Sequence, residues 1–578
     1  MARPYDSSRD GTSIAFRRVV TLRFVPISLT LSLGIASAAG QDRVRLDEQV
    51  RAPLAYMQLA AGAEGRDALA SLQNDPAARM LWSSVVDEST SSALGQFDAL
   101  GELGTGEVEV SLNALLPRAD APALPLMVCR VELGVERANE LKKSLDGGAL
   151  AQSAPAIAGR ETWEFGRDDV GGARRLLVAI VGEDLLASNS EAMLGDVLRR
   201  VPAGGTSTPH PDSVFANRTF AAQRDLLDRD LFGRDLRERT GSRNASTANA
   251  RSRGHILHLD WKRVRERWVA RMTPAQEIAL TALGALTADH VTIAVKSDDA
   301  RDATRVTVLL DQPNGPAGLL AAASPAAPRK VLGALPPVSL AGMTISLDAT
   351  RLGSLFARRF ENSGSDFARD LDDRCATFGL DFAEQVLPRL SGFGSAQLVL
   401  LDDEASEQGV AFAIGTKSAA TARALLTELR ASILEYGAAP RRGGPPPQDR
   451  GGRARPPRPH AQIVQDERDS ITVEGPFGSM SFGAVGNDFV IAARRGTIER
   501  MNRLLRTRAR EHAKARARTI ELCESIVAAR PAGSRDAIGV VEIDGSTLGL
   551  PADASPGRHA GLLFLDDGNL RIELSSPH

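Results

Sequence analysis

The sequence predicts an α+β protein: antiparallel sheets covered by amphipathic helices, laid out as two homologous halves with a plait-like arrangement in each. One observation is a repeat. The stretch RRLLVAIVGEDLLASNSEAMLGDVLRR, Arg174 to Arg200, returns about three hundred residues later as SMSFGAVGNDFVIAARRGTIERMNRLL, Ser479 to Leu505. A second is the content of both copies. Each reads as a strand, a tight turn (Gly182-Glu183-Asp184 or Gly486-Asn487-Asp488), a second strand (Leu185–Ser188 or Phe489–Ala492) and a helix. Met193, Leu194, Val197, Leu198 and Val201 share one face of the first helix, and Ile498, Met501, Leu504 and Leu505 share one face of the second. The third is that the strands alternate too regularly, and turn too tightly, for a doubly wound parallel sheet.

With 578 residues the chain exceeds a single core, and the repeat divides it near Leu335 into halves over 52–335 and 336–578. Hydrophobic residues at 43% and charged residues at 25% suffice for packed cores, which excludes a disordered chain. The net charge is -2, and residues 1–38 carry five Arg against Asp6 and Asp10, so the remainder is more acidic still. A general affinity for nucleic acid is thereby excluded. Residues 1–38 read as a signal peptide: Arg17, Arg18 and Arg23, an apolar run Phe24–Ile35, then Ala36-Ser37-Ala38. That run contains Pro26 and falls short of the roughly 20 residues a spanning helix needs, so no transmembrane span is expected after cleavage. An exported protein, periplasmic or extracellular, follows. Cys129, Cys375 and Cys523 are far apart and form no C-x-x-C pair, and Cys129 reads as a buried thiol.

In chain order, Leu54–Leu59 and Met343–Leu347 open the two halves as strands, and Glu107–Leu112 and Ala396–Leu401 follow as a second pair. Leu126–Leu133 leads into a helix with Val135, Ala138, Leu141 and Leu145 on one face. Val410–Ile414 does the same with Ala422, Leu425, Leu426, Leu429 and Ile433. Less regular passages come next, Gly147 to about Arg160 in the first half and, in the second, a segment containing the Pro-, Gly- and Arg-rich 440–460, read as a disordered loop. After the repeated stretch the first half continues with helical Phe220–Arg239, strand His255–Trp261, a helical Lys262–Leu286 and strands His290–Lys296 and Arg305–Leu310. The second half ends in a shortened echo: strands Ile538–Ile543, Gly561–Leu565 and Leu570–Leu574, the last two about an Asp566-Asp567-Gly568-Asn569 turn.

This order of elements resembles an uncharacterised group of exported bacterial proteins of the domain-of-unknown-function kind, the likeness resting on the two hairpin–helix stretches. The resemblance implies an envelope location and supplies no catalytic residues.

Few residues group as chemistry requires. His258 and Asp260 share a strand face while His255 turns away, a poor start for the three or four convergent ligands of zinc, so these three read as ordinary strand residues. Gly409 to Ser418 has a phosphate loop's setting but five residues between Gly409 and Gly415, with Thr416 before Lys417, so it reads as a helix start. There is no G-x-S-x-G elbow and no D-x-D-x-D-G loop, and the acid pairs Asp168-Asp169, Asp298-Asp299, Asp372-Asp373 and Asp402-Asp403 read as solvated. No catalytic, cofactor or metal residue is assigned. Arg494–Arg518 holds nine Arg and one Lys against Glu499 and Glu511 without aromatic residues, which reads first as a solvated helix face, with weak, salt-sensitive contact with an anionic surface as the alternative and no sign of nucleic acid. The sequence therefore reads as an exported, non-enzymatic binding or structural protein of the cell envelope. The alternative is an envelope hydrolase whose site only the fold assembles.

Overall fold

In the computed structural model the described residues are 49, 53–60, 104, 106–116, 124–147, 151–165, 176–201, 210–213, 217–230, 255–269, 285–298, 303–312, 318–326, 330–331, 341–357, 368–369, 381–400, 408–437, 462–475, 478–492, 496–507, 509–528, 530, 537–544, 558–566 and 569–577. The signal-like 1–38, the loop 440–460 and Cys375 lie outside them.

Helix and antiparallel strand are both abundant, as an α+β chain requires. The first ten strands are β1 (Ala55–Ala60), β2 (Glu107–Leu116), β3 (Leu124–Glu132), β4 (Gln152–Ile157), β5 (Arg160–Phe165), β6 (Leu176–Val181), β7 (Asp184–Ser188), β8 (His255–Asp260), β9 (His290–Asp298) and β10 (Ala303–Asp311). The next ten are β11 (Ala341–Ser346), β12 (Leu390–Leu400), β13 (Gln408–Thr416), β14 (Gln462–Asp466), β15 (Ser470–Gly475), β16 (Gly478–Val485), β17 (Asp488–Ala492), β18 (Gly539–Asp544), β19 (Arg558–Asp566) and β20 (Asn569–Pro577). Every pairing among them is antiparallel. The ladder runs 4-5-6-7-3-2-1-8-9-10 and then, across a β10–β20 pair, 20-19-18-11-12-13-17-16-15-14. Adding ten to each number of the first series gives the second in reverse order.

The register is as regular as the order. At the junction Thr307 lies opposite Glu573. Outward from Thr307 the row continues through Ala294, Ile256, Gln58, Glu109, Arg130 and Leu186. Outward from Glu573 it continues through Leu562, Val540, Thr344, Ser395, Ala413 and Val490.

The two sheet faces differ. One carries a connected apolar cluster that takes in Met57, Val110, Cys129, Leu257, Ile293, Val308, Leu563, Ile345, Phe489, Phe482 and Ile471, from both ends of the ladder. Helix α1 (Val135–Asp146) lies on this side, with Leu145 against Trp163 and Ile180. So do α4 (Trp261–Val269), α5 (Ala349–Ala357) and α6 (Ala419–Gly437), through Val264, through Leu352 and Phe356, and through Leu425, Leu426, Leu429 and Ile433. The opposite face receives α2 (Glu191–Arg200), α3 (Arg218–Asp230), α7 (Thr497–Thr507) and α8 (Ala509–Ala528). Where side chains are described, the apolar faces expected of the repeated helices pack as their spacing requires: Leu194, Val197, Leu198 and Val201 are buried, as are Ile498 and Met501, while the side chains of Leu504 and Leu505 lie outside the described ones.

Several expectations change. The passage from Gly147 to Arg160 holds β4 and the start of β5, and β14–β15 forms the matching hairpin in the second half. These strands escaped pattern reading because β4 exposes most of its side chains and contains Pro155, so no alternation shows. The second half's ending keeps its three expected strands, β18–β20, which match β8–β10 in order, with the shorter connection 545–557 between β18 and β19 where 261–289 separate β8 from β9. Both outer strands break register, at Ala154/Ile157 and at Ile463/Gln465, which blunts the two free edges.

Candidate functional site: a buried polar belt

Across the middle of the ladder, the face under α3 and α8 carries buried polar and charged side chains among its apolar ones. Each inward charge stands at an alternate strand position, where a pleated chain points every second side chain into the layer.

At one end, Arg130 of β3 is 1% exposed among acids. Its Nη2 and Nε lie 2.8 and 2.9 Å from Asp184 Oδ1, and its Nη1 lies 3.7 Å from Glu109 and 3.8 Å from Glu107. Burial alone would lower the Arg130 pKa, but Glu109, Asp184 and Glu107 outweigh it, so the guanidinium stays charged. Gln58 of β1 donates to Glu107 through Nε2 and accepts from Arg224 of α3 at 3.1 Å. The next residue of that helix, Gln223, donates to Asn569 of β20 at 3.0 Å and accepts from Thr292 at 2.5 Å. With the Thr292 hydroxyl proton so committed, His258 Nδ1–H is the donor across 2.7 Å to Thr292 Oγ1. Burial, with His290 as a lesser cause, pushes the His258 pKa down to about 3, so the ring is neutral.

His258 stacks on His290, centroids 5.5 Å apart. His290 Nδ1 lies 3.0 Å from Asp311 Oδ2, while Asp311 Oδ1 accepts from the backbone N–H groups of Asp289 and His290 at 2.7 and 2.8 Å. The far nitrogen, Nε2, meets Asn217 Nδ2 at 2.8 Å.

At the junction of the two strand series, Glu573 Oε1 takes Arg530 Nη1 at 2.6 Å and Arg571 Nε at 2.7 Å. Arg530 also reaches Asp566 at 2.9 Å and lies 3.7 Å above the Phe564 ring. Beyond it, Thr519 of α8 donates to Glu542 of β18 at 2.7 Å.

These contacts hold α3 and α8 in one position on the sheet. Asp311–His290 has the form of a base-and-orienter pair, but its free nitrogen faces an amide, which is no nucleophile. The residues weighed from the sequence are otherwise engaged. His258 and Asp260 do share a face; Asp260 accepts from Arg263 N at 3.1 Å, and His255 is buried, its pKa pushed down to about 4. Ser418 Oγ accepts from Thr421 N at 3.2 Å at the start of α6, and Gly415 packs against Phe393 O, where a Cβ would come within 3.3 Å. Burial pushes the Cys129 thiol far up and Cys523 up to about 12, so neither is a ready nucleophile. Among the described residues no three His, Cys, Asp or Glu could together hold a metal ion, and no helix is long and apolar enough to cross a membrane. Of the paired acids only Asp298 lies among the described residues.

Sequence reasoning passed over Arg130, Asp184, Arg224, His290, Asp311, Arg530, Arg571 and Glu573. A signal existed for some of them: a charge inside an apolar strand, as Arg130 in LMVCRVEL or Arg571 and Glu573 in LRIEL.

No family model and no curated protein matches the chain. Solved structures of TP0453 in crystal forms III, IV and I overlap it at TM-score 0.22 and 10% identity, covering 46%, 47% and 48% of this chain and 78%, 81% and 81% of theirs. An overlap of that size assigns neither fold nor role.

Proposed function

We propose that this chain is an exported, non-enzymatic protein of the bacterial cell envelope, periplasmic or extracellular, that acts by binding or by bearing structure. One observation carries the reading: the buried charges of the belt are closed on one another, Arg130 on Asp184 between neighbouring strands and Arg530, just past α8, on Glu573. Catalysis needs a polarised group aimed at a substrate. The hydrolase alternative has its best support in Asp311–His290, and the Asn217 amide on Nε2 weighs against it.

The same proposal includes two homologous halves over 52–335 and 336–578, each a plait-like helix-covered layer, in an exported, internally duplicated bacterial group. Matching strand orders, and a register symmetric about Thr307 and Glu573, support an arrangement like that of two identical subunits about a two-fold axis. Contact with an anionic surface through Arg494–Arg518 would be by charge alone. Arg503, Arg506 and Arg518 are exposed, while Ile498 and Met501 face inward and are not free to insert.

Native mass spectrometry of the protein from its host's envelope fraction tests the reading. A mass beginning near Ala39 or Gln41, with a stoichiometric adduct or co-purifying chain, is expected. A bare full-length monomer in the cytosolic fraction would overturn it.

A further inference from the structure

Helix α3 reaches the junction of the two strand series, where Asn217 and Gln223 join it to β9 and β20, while Arg224 binds Gln58 of β1. The second of its first-half residues to reach across, Gln223, binds Asn569 of β20 and Thr292 of β9. The first anchor is Asn217, at the start of the helix. Its Oδ1 accepts from Thr219 N at 2.9 Å and from Phe220 N at 3.4 Å, which is an N-cap, and its backbone oxygen accepts from Ala221 N at 3.0 Å. With the oxygen so committed, the side-chain nitrogen must be what meets His290 Nε2 at 2.8 Å, and an amide nitrogen can only donate. Nε2 must then carry a lone pair. The ring's proton is on Nδ1, toward Asp311 Oδ2 at 3.0 Å, and the docked state is the neutral His290 tautomer.

We propose that Asn217–His290–Asp311 is a proton-operated latch: protonation of His290 sets two N–H groups against each other and releases the first turn of α3 from the sheet. Rotating the Asn217 amide would not repair the contact, because it would turn a donor toward the backbone N–H groups of the cap. Charged and titratable neighbours determine when the latch opens. His258 and Asp260 face His290 from β8, Asp311 from β10, and Asp289 precedes it; Lys262 N binds Asp289 O, Arg263 pairs with Asp260 at 3.6 Å, β20 offers Asn569 with Arg571 and Glu573 farther along the same face, and α3 carries Arg218 beside Asn217 and the buried Arg224, which binds Gln58. Burial lowers the His290 pKa, but the hydrogen bond and charge of Asp311, with Asp260 and Asp289, raise it above its ordinary value. Protons are therefore retained at mild acidity. The same carboxylates face the ring whether or not Asn217 is docked, so a proton on His290 is favoured in the folded chain as a whole, and the contact it opposes is the one to Asn217 Nδ2. His258 stays neutral, and the Gln223 anchor holds.

Hydrogen exchange on the full chain tests this, followed in peptides covering 217–227 from pH 8 to pH 5.5 and corrected for intrinsic exchange. Protection is expected to fall about tenfold on acidification, the effect of losing about one hydrogen bond and its cap. His290→Gln keeps an acceptor at the same reach and should show no fall. Asn217→Asp can both cap the helix and accept from a protonated ring, so its protection should rise with acid. Protection independent of pH in the wild type, a fall that survives in His290→Gln, or a parallel loss of urea stability would each overturn the latch.

Discussion

Asp184 and Asp488 hold matching places, each one residue past a Gly-x turn and each opposite the end of a neighbouring strand, at Glu132 and Gly415. Two residues back along those strands stand Arg130 in one case and Ala413 in the other. Asp184 is therefore ion-paired at 2.8 Å, whereas burial pushes the Asp488 pKa up to about 6. Folded Asp488 holds its proton more tightly than the unfolded chain does, so its contribution is present below about pH 4 and is lost as pH rises through 6. Asp488→Asn should raise unfolding stability at pH 8 by about 2–3 kcal/mol and leave it unchanged near pH 4. Equal urea midpoints for variant and wild type at pH 8 would refute this. Asp488 was legible as a turn residue; its missing counter-charge was not, because Ala413 is distant in sequence and adjacent only through the ladder.

At the scale of elements, two glycines show which constraints are local. Gly486 begins the β16–β17 turn at φ +61°, and a Cβ there would meet nothing within 4 Å. Gly486→Ala should cost about 1 kcal/mol, the left-handed backbone penalty, and the turn should survive. Gly561 of β19 has an ordinary φ, yet a Cβ there would lie 2.5 Å from the Glu573 backbone oxygen of β20. Gly561→Ala should cost about 1–3 kcal/mol or more by forcing the strands apart. Chemical denaturation of both variants checks the order, and a milder loss at Gly561 would contradict it. The Gly486 turn could be read from its dipeptide, as could the helix faces from their spacing. The outer strands β4 and β14 could not, since most of their side chains are exposed and leave the sequence little periodic mark.

For the whole molecule, the β10–β20 pair and the acids and arginines above it decide how the strand series meet. Glu573 is 1% exposed and holds both Arg530 and Arg571. Glu573→Gln removes the carboxylate that both buried guanidinium groups share, and a loss of about 3–5 kcal/mol is expected. Replacing all three by Leu should be less damaging than Glu573→Gln, because no buried charge then lacks a partner. Thermal unfolding of the two variants decides, and a triple variant weaker than the single one would show that these charges add net stability.

The α+β class, the two repeated hairpin–helix stretches, the apolar faces of α2 and α6 and most of the strands were legible in the sequence, because periodicity and turn chemistry act over a few residues; of the face read for α1, Ala138 and Leu145 are buried and Val135 is exposed. The sequence also excluded a phosphate loop and a local zinc motif. Strand pairing, by contrast, set the twenty described strands in one antiparallel ladder, gave its second ten the order of the first, and brought Arg130, His290 and Glu573 into one buried belt. The reason is range. A charge inside a strand is an anomaly in sequence, and what neutralises it, Asp184 for Arg130 or Arg530 for Glu573, is chosen by strand pairing and helix docking across tens to hundreds of residues.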